Sequence, residues 1–229
     1  MKGPVTFWSL AFTAITGVGL VGMFYAEKDR KEKARAKNIR SVGKPALGGP
    51  WVLVDQDGHP RTDASYDGKF RLLYFGFTFC PDICPSELVK IGNIVKSVEK
   101  KKITDLQPIF ISVDPSRDTV GQMKNYSQDF HPSIVYLTGT REQVATASKA
   151  YRVYFSKANE NENDEEDYLV DHSIVLYLVS PSGEFLDFFT QSMEVKDIVD
   201  KIAHYKEVYE QNLKDIESGS KKAPAEEKA

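Results

Sequence analysis

The alternation of apolar and polar positions divides the chain into an apolar lead, a charged connector and a long segment of short hydrophobic runs separated by amphipathic stretches. RLLYFGF (Arg71–Phe77) is almost continuously apolar and aromatic, as a strand covered on both faces would be. In the stretch Ile83–Lys100, Leu88, Ile91, Val95 and Val98 recur at helical spacing and predict one buried helix face. Gln107–Val113 reads as a second buried strand, Thr119–Phe130 as a short helix and Ile134–Leu137 as a third strand. Thr140 and Gln143 stand in capping-box spacing and open a further helix. His172–Val179 and Glu184–Thr190 flank Pro181-Ser182-Gly183, the signature of antiparallel strands joined by a tight turn. The amphipathic stretch Glu194–Leu213 closes the domain, and WVLVDQDGHPRT predicts an added N-terminal hairpin turning at Asp57-Gly58. Strands alternating with helices predict an α/β fold, with a partly parallel sheet and helices on both faces.

The lead from Gly3 to Ala26 contains no Asp, Glu, Lys, Arg or His. At about 1.5 Å per residue it is long enough to cross a hydrocarbon core of about 30 Å. Trp8 and Tyr25 suit the two interfaces, and Gly17, Gly19 and Gly22 are tolerated in spanning helices. A cleaved signal peptide is the competing reading; the run is long for one and lacks a clean cleavage site. Lys and Arg crowd the segment Glu27–Lys44, and by charge alone they would keep the following domain on the cytosolic side. The expected organisation is a flank at 1–4, a transmembrane helix at 5–26, a charged stalk at 27–42, an α/β domain at 43–216 and a low-complexity tail at 217–229.

Composition narrows the function. The chain has 229 residues, enough for one core-bearing domain and appendages at roughly 100–200 residues per domain. A net charge of -3 disfavours a nucleic-acid surface, which needs a basic face. With two cysteines there is neither a disulfide scaffold nor a four-thiolate zinc site.

Both cysteines, Cys80 and Cys84, lie in FTFCPDICPSE, just after a buried strand and at the opening of a helix. Unpaired amides and the positive dipole end at a helix start favour a thiolate, though Asp82 opposes this. Three intervening residues place the thiols at i and i+4, a poorer match to the usual C-x-x-C redox motif. The spacing leaves room for a metal between the sulfurs; a disulfide is the alternative. Of four histidines, His59, His131 and His204 read as ordinary surface or packing residues. His172 is the candidate third donor, at the start of a buried strand behind the acidic run Glu160–Asp167. A Cys₂His set suits Cu(I), with catalytic zinc as the other choice, since iron–sulfur clusters need about four cysteines.

F-x-F-C-P-D-I-C-P, ISVDPSRDT (Ile111–Thr119), LTGTREQV (Leu137–Val144) and Y-L-V-D-H-S (Tyr168–Ser173) closely resemble the Sco family of copper chaperones for cytochrome c oxidase assembly, and its mitochondrial members above all. The resemblance spans about Gly43 to Tyr205 and extends into the apolar lead. It implies a thioredoxin-like domain and a copper site made by Cys80, Cys84 and His172, for Cu(I) and also Cu(II). It further implies an anchor in the mitochondrial inner membrane and a domain in the intermembrane space, against the charge reading of the stalk. Delivery would be to the binuclear copper site of cytochrome c oxidase subunit II, with a small copper-carrier protein as donor; a homodimer is left open. A thiol–disulfide oxidoreductase acting on the cysteines of that subunit is the alternative function. A peroxidase is the third reading, and its pocket is only partly present, through Thr78, Pro81 and Arg117. Asp171 is a candidate to orient the imidazole, and Asp114, Arg117 and Asp118 are candidates to shape docking at the same sheet end. No Arg- and Ser-rich transit segment precedes the apolar lead, so the expectation is a mature or truncated form.

Overall fold

A computed structural model describes residues 21–24, 47–153, 155–157, 170–172 and 174–217; of 155–157, 170–172 and 216–217 it describes the backbone alone. The chain divides into two units at Pro45 and Ala46, and the second carries the fold. The first is described only at 21–24, which is helical. Among the described residues no helix is long and apolar enough to cross a membrane, and most of the span expected at 5–26, the stalk, the acidic loop and most of the tail lie outside them.

A seven-stranded sheet runs in the order β2-β1-β5-β4-β3-β8-β9. Its middle strand is β4 (Leu106–Ser112), which runs parallel to its two neighbours, β3 (Phe70–Gly76) and β5 (Val135–Thr138). Every residue of β3 is buried, which accounts for the unbroken apolar run in its sequence. Arg71 is the exception in polarity: its guanidinium donates to the Tyr66 carbonyl at 3.1 Å and pairs with Asp67. On one side of the parallel core, β8 (Val175–Val179) pairs antiparallel with β3, and β9 (Phe185–Thr190) with β8. On the other side lies the N-terminal hairpin, β1 (Val52–Asp55) and β2 (Pro60–Thr62), with Gly58 at φ +83 in its turn. The left-handed backbone there explains why glycine stands at the turn. β1 then joins the sheet by pairing antiparallel with β5.

The helices are α1 (Ile83–Lys100), α2 (Val120–Ser127), α3 (Arg141–Ala150) and α4 (Val195–Glu217). Thr140 and Gln143 cap α3 reciprocally as their spacing predicts, and Thr119 caps α2 through the Gln122 amide. Tyr74, Phe110 and Tyr136 occupy one row across β3, β4 and β5. They stack on one another and on Tyr126 of α2. Phe75, the next residue along β3, points the other way and packs on Tyr151 at the end of α3 and on Tyr177. The expected helices on both faces are therefore present.

One expectation needs correction. The run His172–Val179 is not a single strand: Val170–His172 (β7) pairs with Phe155–Lys157 (β6) in a separate two-stranded sheet, and the main-sheet strand begins at Val175. Only Ser173 and Ile174 separate the two strands and no Gly or Pro marks the break, so the sequence pattern alone does not reveal the change of partner. Leu73→Ala is expected to lower unfolding free energy by about 2–5 kcal/mol, because the side chain is fully buried on an interior strand of the sheet. Urea unfolding of the full chain measures this, and a loss under about 1 kcal/mol would contradict the full burial of β3.

Candidate metal centre

The parallel strands β3, β4 and β5 all point their carboxyl ends in one direction, where α/β folds build sites. β3 delivers the loop Phe77–Asp82, and α1 begins at Ile83. Asp82 occupies the N-cap position, yet its side chain accepts no capping bond. The sulfur of Cys80 serves instead, accepting the Cys84 backbone N–H at 3.4 Å. One of the orphan amides of the helix start is thus satisfied by a thiol, and the two cysteines are tied together through it. Both are free thiols, Cys80 half-buried and Cys84 buried.

The environment of Cys84 is the more closed. Its sulfur receives the Tyr74 hydroxyl at 3.4 Å and a backbone N–H from Phe77. A Cβ placed on Gly76 would come within 2.9 Å of that sulfur and 2.8 Å of the Phe110 ring. The glycine is what allows the sulfur to lie against the strand. Burial pushes the Cys84 thiol up to about 12, and the Tyr74 and Phe77 hydrogen bonds only partly offset it. The expectation that a helix start would favour thiolates at both cysteines therefore fails at Cys84, where desolvation outweighs the helix end.

Asp118 ties the cysteine loop to its neighbours. It is fully buried, and its carboxylate accepts the Thr78 hydroxyl at 2.6 Å, the Thr78 N–H at 3.2 Å and the Ser112 hydroxyl at 2.5 Å. Its backbone carbonyl accepts the Thr138 hydroxyl at 2.7 Å. The ends of β3, β4 and β5 are thereby cross-linked two residues before Cys80. Desolvation raises the Asp118 carboxyl above its ordinary range despite these donors, and nearby Asp114 adds to the effect. Asp114 is also buried and accepts Arg117 Nε at 2.6 Å. The Arg117 guanidinium lies 4.9 Å from the ring centre of Phe79 and 5.8 Å from that of Phe77, bracing the cysteine loop by cation–π contact. Phe79, beside Cys80, is half-exposed.

The structure brings Cys80 and Cys84 together and sets Asp114, Arg117 and Asp118 around their loop. The side chains of Asp171 and His172 lie outside the described residues. The backbone of His172 pairs with Phe155 and stands three residues before Val175, where β8 begins alongside β3. Among the other histidines, His59 pairs with Asp55 at 3.5 Å and His131 with Ser133 at 2.8 Å. Among the described residues no three His, Cys, Asp or Glu side chains cluster as a complete metal site. Tyr74 and Gly76 escaped the sequence reading, since both look like strand residues; a glycine inside a buried strand was the available signal of a close approach.

The family model for SCO1/SenC matches residues 40–207. The human mitochondrial protein named SCO1 homolog is 46% identical over 209 residues, covering 90% of this chain and 69% of the relative. Mitochondrial protein SCO1 of Saccharomyces cerevisiae is 45% identical over 202 residues, covering 88% of this chain and 68% of the relative. The crystal structure of Arabidopsis thaliana ScoI with copper bound matches with a TM-score of 0.66 at 43% identity, over 72% of this chain and 99% of that one. The structure of yeast Sco1 with copper bound matches with a TM-score of 0.65 at 44% identity, over 80% of this chain and 93% of that one.

Two outcomes follow from the geometry. Since the Cys84 thiol is held up to about 12, the reactive thiolate is scarce at pH 8 and grows as pH rises towards that value. Alkylation mapped by mass spectrometry should label Cys80 at least about tenfold faster than Cys84 at pH 8; equal rates would refute the buried placement. Asp118→Ala leaves three buried donors without an acceptor and should cost about 3 kcal/mol in chemical unfolding.

Proposed function

The chain belongs to the SCO1/SenC family, and from that premise we propose that it is a copper chaperone of cytochrome c oxidase assembly. The carrying observation is the pair of adjacent free thiols, one half-exposed and one buried, at a helix start in a fold shared with two relatives whose structures hold copper. Sulfur donors suit Cu(I), which accepts low coordination numbers. Cys80 and Cys84 bind as thiolates and neutral His172 supplies the third donor. The position of the His172 backbone, shortly before the strand that borders β3, supports this assignment. Cys84 is a neutral thiol at pH 7, so binding there releases its proton and copper affinity rises with pH.

Asp171 orients the imidazole in this reading. The acceptor docks at half-exposed Phe79, which the Asp114–Arg117 pair braces from within, beside partly accessible Cys80. A three-coordinate ion leaves an open position for an incoming ligand, which is how cargo passes on. The acceptor is the binuclear copper site of oxidase subunit II, and a small copper carrier is the donor. The apolar lead Gly3–Ala26 anchors the chain in the mitochondrial inner membrane, with the domain in the intermembrane space; the mitochondrial names of the relatives support this compartment.

A second reading has its own observation. An accessible Cys80 beside a buried Cys84 is the arrangement of an attacking and a resolving thiol. Cys80 would attack a partner disulfide to form a mixed disulfide. Cys84 would then displace the partner, leaving an intramolecular disulfide and a reduced partner. His172→Ala separates the two. Chaperone function predicts that Cu(I) affinity falls at least about tenfold while disulfide reduction is retained. Unchanged copper affinity with lost reductase activity would reverse the order of the two readings.

A further inference from the structure

Tyr74 lies on an interior strand of the sheet, with no exposed surface. A buried hydroxyl without a partner costs about 1–3 kcal/mol where phenylalanine would cost nothing, and that of Tyr74 has a partner. Its O–H reaches the Cys84 sulfur at 3.4 Å, within range of a hydrogen bond to sulfur. The ring is itself held, packed against Phe110 with centroids 5.9 Å apart. Gly76, two residues along the same strand, leaves the space in which the sulfur rests, and Phe110 closes the same slot. Cys84 is thus confined by a donor, a bare backbone and a ring. Cys80 is half-buried, and its sulfur is tethered to Cys84 itself, through the Cys84 amide and the Cys84 side chain.

We propose that Tyr74 is a positioning residue for the metal centre: its hydroxyl holds the Cys84 sulfur in one place, so that Cys84 is the fixed ligand and Cys80 the one that yields during transfer. This rests on the copper reading of the site. When Cys84 is a metal-bound thiolate, an O–H donated to its sulfur also withdraws electron density that would otherwise go to the metal. Tyr136 supplies the internal control. It lies in the same row of the sheet, is fully buried, and its hydroxyl has no hydrogen-bond partner among the described residues.

The test compares Tyr74→Phe with Tyr136→Phe in the full chain, with thermal unfolding confirming that each folds. In the Cu(II)-loaded protein, Tyr74→Phe should move the sulfur-to-copper charge-transfer band to lower energy. In the reduced, metal-free protein labelled with 13C-cysteine, the Cys84 Cβ resonance should shift and that of Cys80 should not. Tyr136→Phe should do none of these things. Gly76→Ala, whose methyl would crowd both the sulfur and the Tyr74 ring from the same strand face, should displace the same band and serves if Tyr74→Phe does not fold. A Tyr74→Phe variant with an unmoved Cys84 resonance, or with changes matched by Tyr136→Phe, overturns the proposal. If the parent chain takes up no copper, the functional reading fails, while the resonance measurement still decides the placement of Tyr74.

Discussion

The organisation of this domain depends on keeping one sulfur out of water. Cys84 enters the core at the second residue of α1, and desolvation there is strong enough to override the favourable end of the helix. A buried thiol of this kind is inert towards solvent and oxidants, yet it remains a donor for a soft cation that can replace its proton. The surrounding residues serve that burial. Gly76 removes the side chain that would collide with the sulfur, and Tyr74 and Phe77 give it hydrogen bonds in place of those it loses.

Around this fixed point the cysteine loop is braced from two directions. Asp118, fully buried, gathers donors from the ends of β3 and β4 and, through its carbonyl, from β5. Arg117 bridges buried Asp114 to the aromatic pair Phe77 and Phe79. A buried carboxylate tolerates such a place only when its oxygens are occupied, so the same network that stabilises Asp118 immobilises Thr78, two residues from Cys80. Cys80 and Phe79 stay partly accessible, which is the combination a handover site requires: one face preorganised, the other open to a partner.

Much of this architecture was legible in the chain. The buried run of β3, the heptad-like face of α1 and the Thr140–Gln143 cap each rest on local chemistry that acts within a few residues. So did the hairpin turn at Gly58, whose left-handed backbone is a local demand. The break between β7 and β8 was not legible, because no Gly or Pro marks it and an apolar run reads alike whichever sheet a strand joins. The roles of Asp114, Arg117 and Asp118 were visible only as charges on the right end of the sheet. Their burial, and hence their internal duty, follows from what the neighbouring strand ends donate.

The order of residues alone determined that two thiols would open a helix behind a buried strand, and its motifs determined the family, because spacing along a chain is preserved on folding. Which of those thiols is shielded, that a tyrosine hydroxyl meets it and that a glycine makes room for it were decided by the tertiary structure alone. Desolvation and contact arise where distant segments converge, and no local pattern encodes how closely they approach.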